Sequence, residues 1–162
     1  MSSASKTPRP LGWLTTPLRL ILGGLFIFAG VMKLRDPQSF AFSVMAFDLF
    51  PSHADHAAKL AAFAVPWTEV LAGALLVVGL WSRAAALVIA LMLAAFIAGI
   101  ASVLYRGLNV TCGCFGKFEV PCTGPIGTCH LVRNSIMLVA ALLILWKGPG
   151  ALTIDREPAK HR

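Results

Sequence analysis

The chain has 162 residues, 57% hydrophobic and only 13% charged, against about 25% charged in ordinary soluble domains. Its mean hydropathy of +0.78 excludes a water-soluble fold, because a chain this short builds one modest core and leaves the surplus apolar surface nowhere to go except lipid. The net charge of +7 does not mark a nucleic-acid surface, since the basic residues collect at the ends of apolar runs, where they suit anionic headgroups; membrane lipids are the first expected partner.

In chain order, residues 1–12 form a basic, proline-bearing tail with Lys6, Pro8, Arg9 and Pro10. Leu14 to Leu34 is the first apolar run, long enough to span at about 1.5 Å per residue. Arg19 and Lys33 bracket its centre and are expected to snorkel to opposite interfaces. No small-x-small cleavage motif follows, so the run is expected to stay in place as a helix. Asp36-Pro37 ends it. The following aromatic stretch, with Phe40, Phe42, Phe47 and Phe50, suits a short helix lying in the interface.

Leu60 to Leu80 is the second span, interrupted by Pro66. Trp81-Ser82-Arg83 is a turn so tight that the second and third spans must be antiparallel neighbours. Ala84 to Tyr105 is the third span. Its Ala86, Ala90, Ala94, Ala98 and Ser102 recur every fourth residue, a small-residue stripe expected to let two helices approach closely. Arg106 to His130 is too rich in glycine and proline for a long helix. Leu131 to Trp146 is a short fourth span, expected to begin inside the preceding loop or to tilt little. Residues 148–162 form a second basic tail. Trp13, Trp67, Trp81 and Trp146 fall near span ends and read as interface anchors. The expected fold is therefore all-α: an integral membrane four-helix bundle over residues 13–147, with a cysteine-bearing extracytoplasmic loop between spans three and four.

Orientation follows from lysine and arginine. With both termini cytoplasmic, eight of the fourteen lie inside (Lys6, Arg9, Arg19, Arg83, Lys147, Arg156, Lys160, Arg162) and six outside (Lys33, Arg35, Lys59, Arg106, Lys117, Arg133). The positive-inside bias then places the cysteine loop outside, in an oxidising compartment where disulfides persist.

All four cysteines, Cys112, Cys114, Cys122 and Cys129, lie in that loop. In Cys112-Gly113-Cys114-Phe115-Gly116, two thiols one residue apart close only a small, strained ring, and strained exposed disulfides exchange readily. The glycines allow the backbone angles required, and Lys117 and Arg106 favour thiolate. Two alternatives stay open. The cysteines can staple the loop structurally, in any of three connectivities, or bind a metal with His130 as a spare ligand, although the spacing lacks the paired knuckles of structural zinc. His53 and His56, beside Asp55, read as a solvated loop.

Glu69 lies inside the second span. A lone carboxylate there costs on the order of 3 kcal/mol unless paired or protonated. An ion pair to Arg133 or Lys33, just beneath the cysteine loop, is the expectation. No phosphate loop, dinucleotide fingerprint or Ser-His-Asp order is present.

The run Leu18-Arg19-Leu20-Ile21-Leu22-Gly23, followed by Phe28-Ala29-Gly30-Val31-Met32-Lys33-Leu34-Arg35-Asp36-Pro37, resembles the opening of the DoxX-like membrane proteins. Val65-Pro66-Trp67-Thr68-Glu69 and Gly79-Leu80-Trp81-Ser82-Arg83 continue the likeness. Cys112-Gly113-Cys114-Phe115-Gly116 and Arg133-Asn134 resemble the MauE branch, the methylamine utilisation membrane proteins. The resemblance implies a four-helix membrane bundle. It also implies work beside a thioredoxin-like periplasmic partner in maturing a disulfide-rich client, the small subunit of methylamine dehydrogenase in that pathway. It makes Cys112 and Cys114 the redox pair, and Glu69 and Arg133 polar bundle positions. Cys122 and Cys129 depart from the pattern, as a resolving pair or a structural one. By analogy with vitamin-K-epoxide-reductase-like enzymes, a membrane quinone is a candidate onward electron acceptor. A non-catalytic assembly factor and a small transporter or hydrophobic-ligand binder built around Glu69 and Arg133 are the rival functions.

Overall fold

The computed structural model describes residues 12–47, 55–108, 110, 122 and 124–148. They form α1 (Gly12–Arg35), α2 (Pro37–Ala46), α3 (Asp55–Val78), α4 (Ser82–Tyr105) and α5 (Thr128–Lys147). All but α2 are long and apolar enough to cross a membrane. The protein is a multi-pass membrane protein. In hydrocarbon the backbone must satisfy its own hydrogen bonds, which is why each apolar run becomes one continuous helix. Hydroxyls within the spans follow the same rule: Thr68 Oγ1 donates to the Ala64 carbonyl at 2.8 Å and Ser135 Oγ to that of Leu131 at 2.9 Å.

The breaks have local causes. Asp36 precedes a proline, which pushes it out of the helical region to φ −136°, ψ 71°. Its carboxylate then accepts the Ser39 N–H at 3.2 Å and caps α2, with Pro37 at the first turn. Between α3 and α4 only Gly79, Leu80 and Trp81 intervene. Gly79 takes φ 79°, and the Leu75 carbonyl accepts from the N–H groups of both Gly79 and Leu80. Trp81 sits at φ 50°, a left-handed conformation costing a non-glycine residue about 1–2 kcal/mol. α5 begins at Thr128, three residues before the apolar run proper, inside the loop as expected.

The spans form a ring. α1 packs on α3 and α5, and α4 packs on the same two, so α1 faces α4 and α3 faces α5 across diagonals where the backbones do not meet. α2 lies against α3 and α1 at the end that carries the cysteine loop. An aliphatic cluster including Leu22, Leu76, Ala86, Ile89, Leu93 and Ile144 fills the centre and the opposite end.

The tightest packing is between α1 and α3, and glycine makes it. A β-carbon added at Gly23 would lie 2.9 Å from the Gly73 carbonyl oxygen; one at Gly73 would lie 2.8 Å from that of Gly23. At Gly30 it would meet the Pro66 carbonyl oxygen at 2.8 Å and Val70 Cγ2 at 2.7 Å. These backbones touch as small residues allow them to in lipid. The alanine stripe of α4 does not play that part. Ala86 and Ala90 are buried, but Ala94 and Ala98 are exposed. Residues four apart advance about 40° around a helix, so over four steps the stripe winds by about 160° and leaves the interface. Burial on α4 instead follows Ala86, Leu93 and Ile100, a seven-residue repeat that stays on one side.

Arg19 and Lys33 correct a second expectation. Neither snorkels; they are 2% and 1% exposed. For Lys33 the reason is an inward partner.

Candidate functional site

Gly30 brings α1 onto α3 beside Glu69, whose Cβ lies only 3.1 Å from a β-carbon added there. Lys33, three residues on and on the same helix face, therefore reaches across. Its Nζ donates to Oε1 and Oε2 of Glu69 at 2.5 and 2.7 Å. Both side chains are buried to 2% exposure or less. Glu69 could face Lys33 or Arg133, and its two oxygens go to Lys33.

Aromatic faces complete the enclosure of the ammonium. Lys33 Nζ lies 5.1 Å from the Phe40 ring centroid and 5.3 Å from that of Phe96, within reach of a cation–π attraction worth about 0.5–2 kcal/mol. Phe40 comes from α2 and is buried, so the short helix closes over the pair. Phe96 comes across the diagonal from α4. Burying two charges costs several kcal/mol per ion; two carboxylate contacts and two ring faces offset it here.

α5 supplies the remaining polar groups. Asn134 is buried, and its Nδ2 donates to the His130 carbonyl at 2.8 Å. His130 is also buried, with Nδ1 accepting the Gly127 N–H at 3.3 Å at the start of the helix. Arg133 is half-buried, with Nε and Nη2 enclosed. A partly open cavity of about 20 Å³ runs between Lys33, Glu69 and Asn134.

Above this polar layer the loop is anchored. Cys122 and Cys129 form a disulfide with a Cα–Cα distance of 5.9 Å. Cys122 is buried and Cys129, in the first turn of α5, is exposed. The Ile126 N–H donates to the Val110 carbonyl at 2.8 Å. Val110 and Ile126 pack on Ile100 and Val103, with Phe47 and Leu131 alongside. Arg106 Nη2 donates to the Phe47 carbonyl, tying the end of α4 to the end of α2. Cys112, Cys114 and His53 lie outside the described residues; His56 is exposed. Among the described residues, no three of His, Cys, Asp and Glu gather as a metal site would need.

The family model of Methylamine utilisation protein MauE matches residues 11–147, from the start of α1 to the end of α5. The chain belongs to the MauE family. It is similar to the Methylamine utilization protein MauE of Paracoccus denitrificans, 31% identical over 136 residues that cover 83% of this chain and 70% of that protein. No solved structure matches it. The MauE match takes in the four spans, the polar layer and the cysteine loop together, so it describes one continuous membrane unit.

Within this MauE-family chain, sequence reasoning gave Glu69 a partner in either Arg133 or Lys33 and missed Phe40, Phe96 and Asn134 as neighbours of the pair. Asn134 carried a signal, a polar amide inside an apolar run. The phenylalanines carried none, because an aromatic facing lysine is indistinguishable from one facing lipid until the helices are assembled.

Proposed function

We propose that the protein takes part in thiol–disulfide exchange on the outer face of a bacterial plasma membrane, beside a thioredoxin-like partner, in maturing a disulfide-rich client. For a MauE-family protein, whose setting is methylamine utilisation, the client is the small subunit of methylamine dehydrogenase. The observation that carries the reading is the disulfide between Cys122 and Cys129 in a loop fastened to one end of the bundle, because lasting disulfides belong to oxidising compartments. The charge balance supports the same orientation. Arg19, Lys33 and Arg133 turn into the bundle and do not act as flanks. Eight less Arg19 leaves seven lysines and arginines on the cytoplasmic side; six less Lys33 and Arg133 leaves four outside.

Cys112 and Cys114 are the exchanging pair. A partner thiolate attacks one sulfur of their disulfide; the S–S bond breaks, and the other cysteine leaves as a thiolate and takes up a proton. The partner's second thiolate then attacks the mixed disulfide. The partner ends as a disulfide, and the loop holds the two electrons and two protons it gave up. Exchange with Cys122–Cys129, or a membrane quinone, accepts them onward. Replacing Cys112 or Cys114 by serine is expected to abolish client maturation while insertion stays normal, and alkylation with mass shift should show a disulfide that cycles under mild reductant. Full maturation in the Cys112→Ser/Cys114→Ser variant sinks the proposal.

The buried Cys122 favours a second reading, a non-catalytic assembly factor in which the disulfide only staples the loop. That protein tolerates serine at 112 and 114 but loses stability with Cys122→Ser.

A further inference from the structure

The cavity beside the ion pair sits where the fold has least direct contact, between diagonal helices. Glu69 reaches it from α3, Asn134 from α5 and Lys33 from α1. The backbones of α3 and α5 do not meet. The three side chains leave hydrogen-bonding capacity over. Asn134 has one hydrogen bond among the described residues, Nδ2 to the His130 carbonyl, so its oxygen and second amide proton are available. Each Glu69 oxygen accepts once, from Lys33, and a carboxylate oxygen has room for a second donor. Lys33 spends two of its three protons on Glu69.

We propose that this cavity is a binding site for a single water molecule that bridges the Asn134 amide to the Glu69 carboxylate. The size fits: about 20 Å³ exceeds the roughly 10–15 Å³ that one water needs by this measure, and a buried water needs two to four polar partners. Three polar side chains, Lys33, Glu69 and Asn134, are among its lining. The remaining wall is apolar, including Ala29, Phe96 and Met137, which holds the water at the polar corner. The bridge makes Lys33, Glu69, water and Asn134 one seam across α1, α3 and α5. Asn134 lies five residues along α5 from Cys129, so the seam also fixes the helix from which the disulfide hangs. The site is independent of any exchange chemistry at Cys112 and Cys114.

The test uses the full chain in lipid nanodiscs and water itself as the probe. The side-chain amide protons of Asn134, assigned by their loss in Asn134→Ala, are expected to show a magnetisation-transfer cross-peak to a long-lived water. Absence of that cross-peak overturns the site. Ala29→Val fills the cavity from its apolar wall. Loss of the cross-peak with a lowered thermal midpoint supports a displaced water; a raised midpoint means a dry cavity has been filled and overturns the proposal. If Ala29→Val does not fold, the cross-peak in the unmodified protein decides alone.

Discussion

The two halves of this bundle solve the same packing problem with opposite chemistry. The half nearest the α3–α4 turn is filled by Leu22, Leu76, Ala85, Ala86, Ile89 and Ile144, with buried Thr15, Arg19 and Ser82 at its rim. The half beneath the cysteine loop encloses Lys33 and Glu69, with His130 and Asn134 beside them and Phe40 closing over. An aliphatic core needs only volume and tolerates approximate substitution. A buried ion pair demands a particular partner in a particular place and punishes removal of either member. One half is therefore held by shape and the other by pairing, and the pairing lies at the end that carries the Cys122–Cys129 disulfide.

The largest effect should come from breaking the pair. Lys33→Ala leaves a carboxylate uncompensated inside the bundle and is expected to cost about 3–5 kcal/mol. The double variant Lys33→Met/Glu69→Leu should recover most of that loss. Equilibrium unfolding in lipid or detergent checks both, and a double variant as unstable as the single would show that the pair is not the source. Next comes Leu76→Ala in the aliphatic half, expected to cost about 2–5 kcal/mol through the cavity it leaves; unlike Lys33→Ala, it has no rescuing partner. Gly30→Ala should follow at about 1–3 kcal/mol, because its β-carbon drives α1 away from the Pro66 carbonyl. It should also pull Lys33 from Glu69, so its penalty and that of Glu69→Leu should not add; strict additivity would uncouple the glycine contact from the pair. Smallest is Phe40→Leu, expected to cost about 1 kcal/mol by removing one ring face from the ammonium. A loss near zero would reduce α2 to a cover without electrostatic work.

Much of this molecule could be read in advance because the relevant physics is local. Four apolar runs of spanning length give four membrane helices whatever their neighbours do. Asp36-Pro37 stops a helix through its own backbone sterics, whereas the turn after α3 falls at Gly79–Trp81, two residues before the expected Trp81-Ser82-Arg83. The charge at Glu69 announced an inward partner by its cost alone. The pairing that followed was only half legible. Lys33 and Arg133 both lie at the right depth, and the close approach at Gly30, which decides for Lys33, exists only between assembled helices. The alanine stripe misled for a related reason: a spacing counted along the chain matters only if it keeps pace with the helix, and every fourth residue does not.

The sequence by itself determined the solvent, the number of crossings, the break at Asp36-Pro37 and the burial of a charge, because each depends on hydropathy, backbone angles or desolvation within a few residues. The tertiary structure alone decided which helices touch, that α2 closes over Lys33, that Asn134 shares a cavity with Glu69, and that Cys122 bonds to Cys129. Those outcomes depend on distances between segments remote in the chain, which are set by how backbones pack.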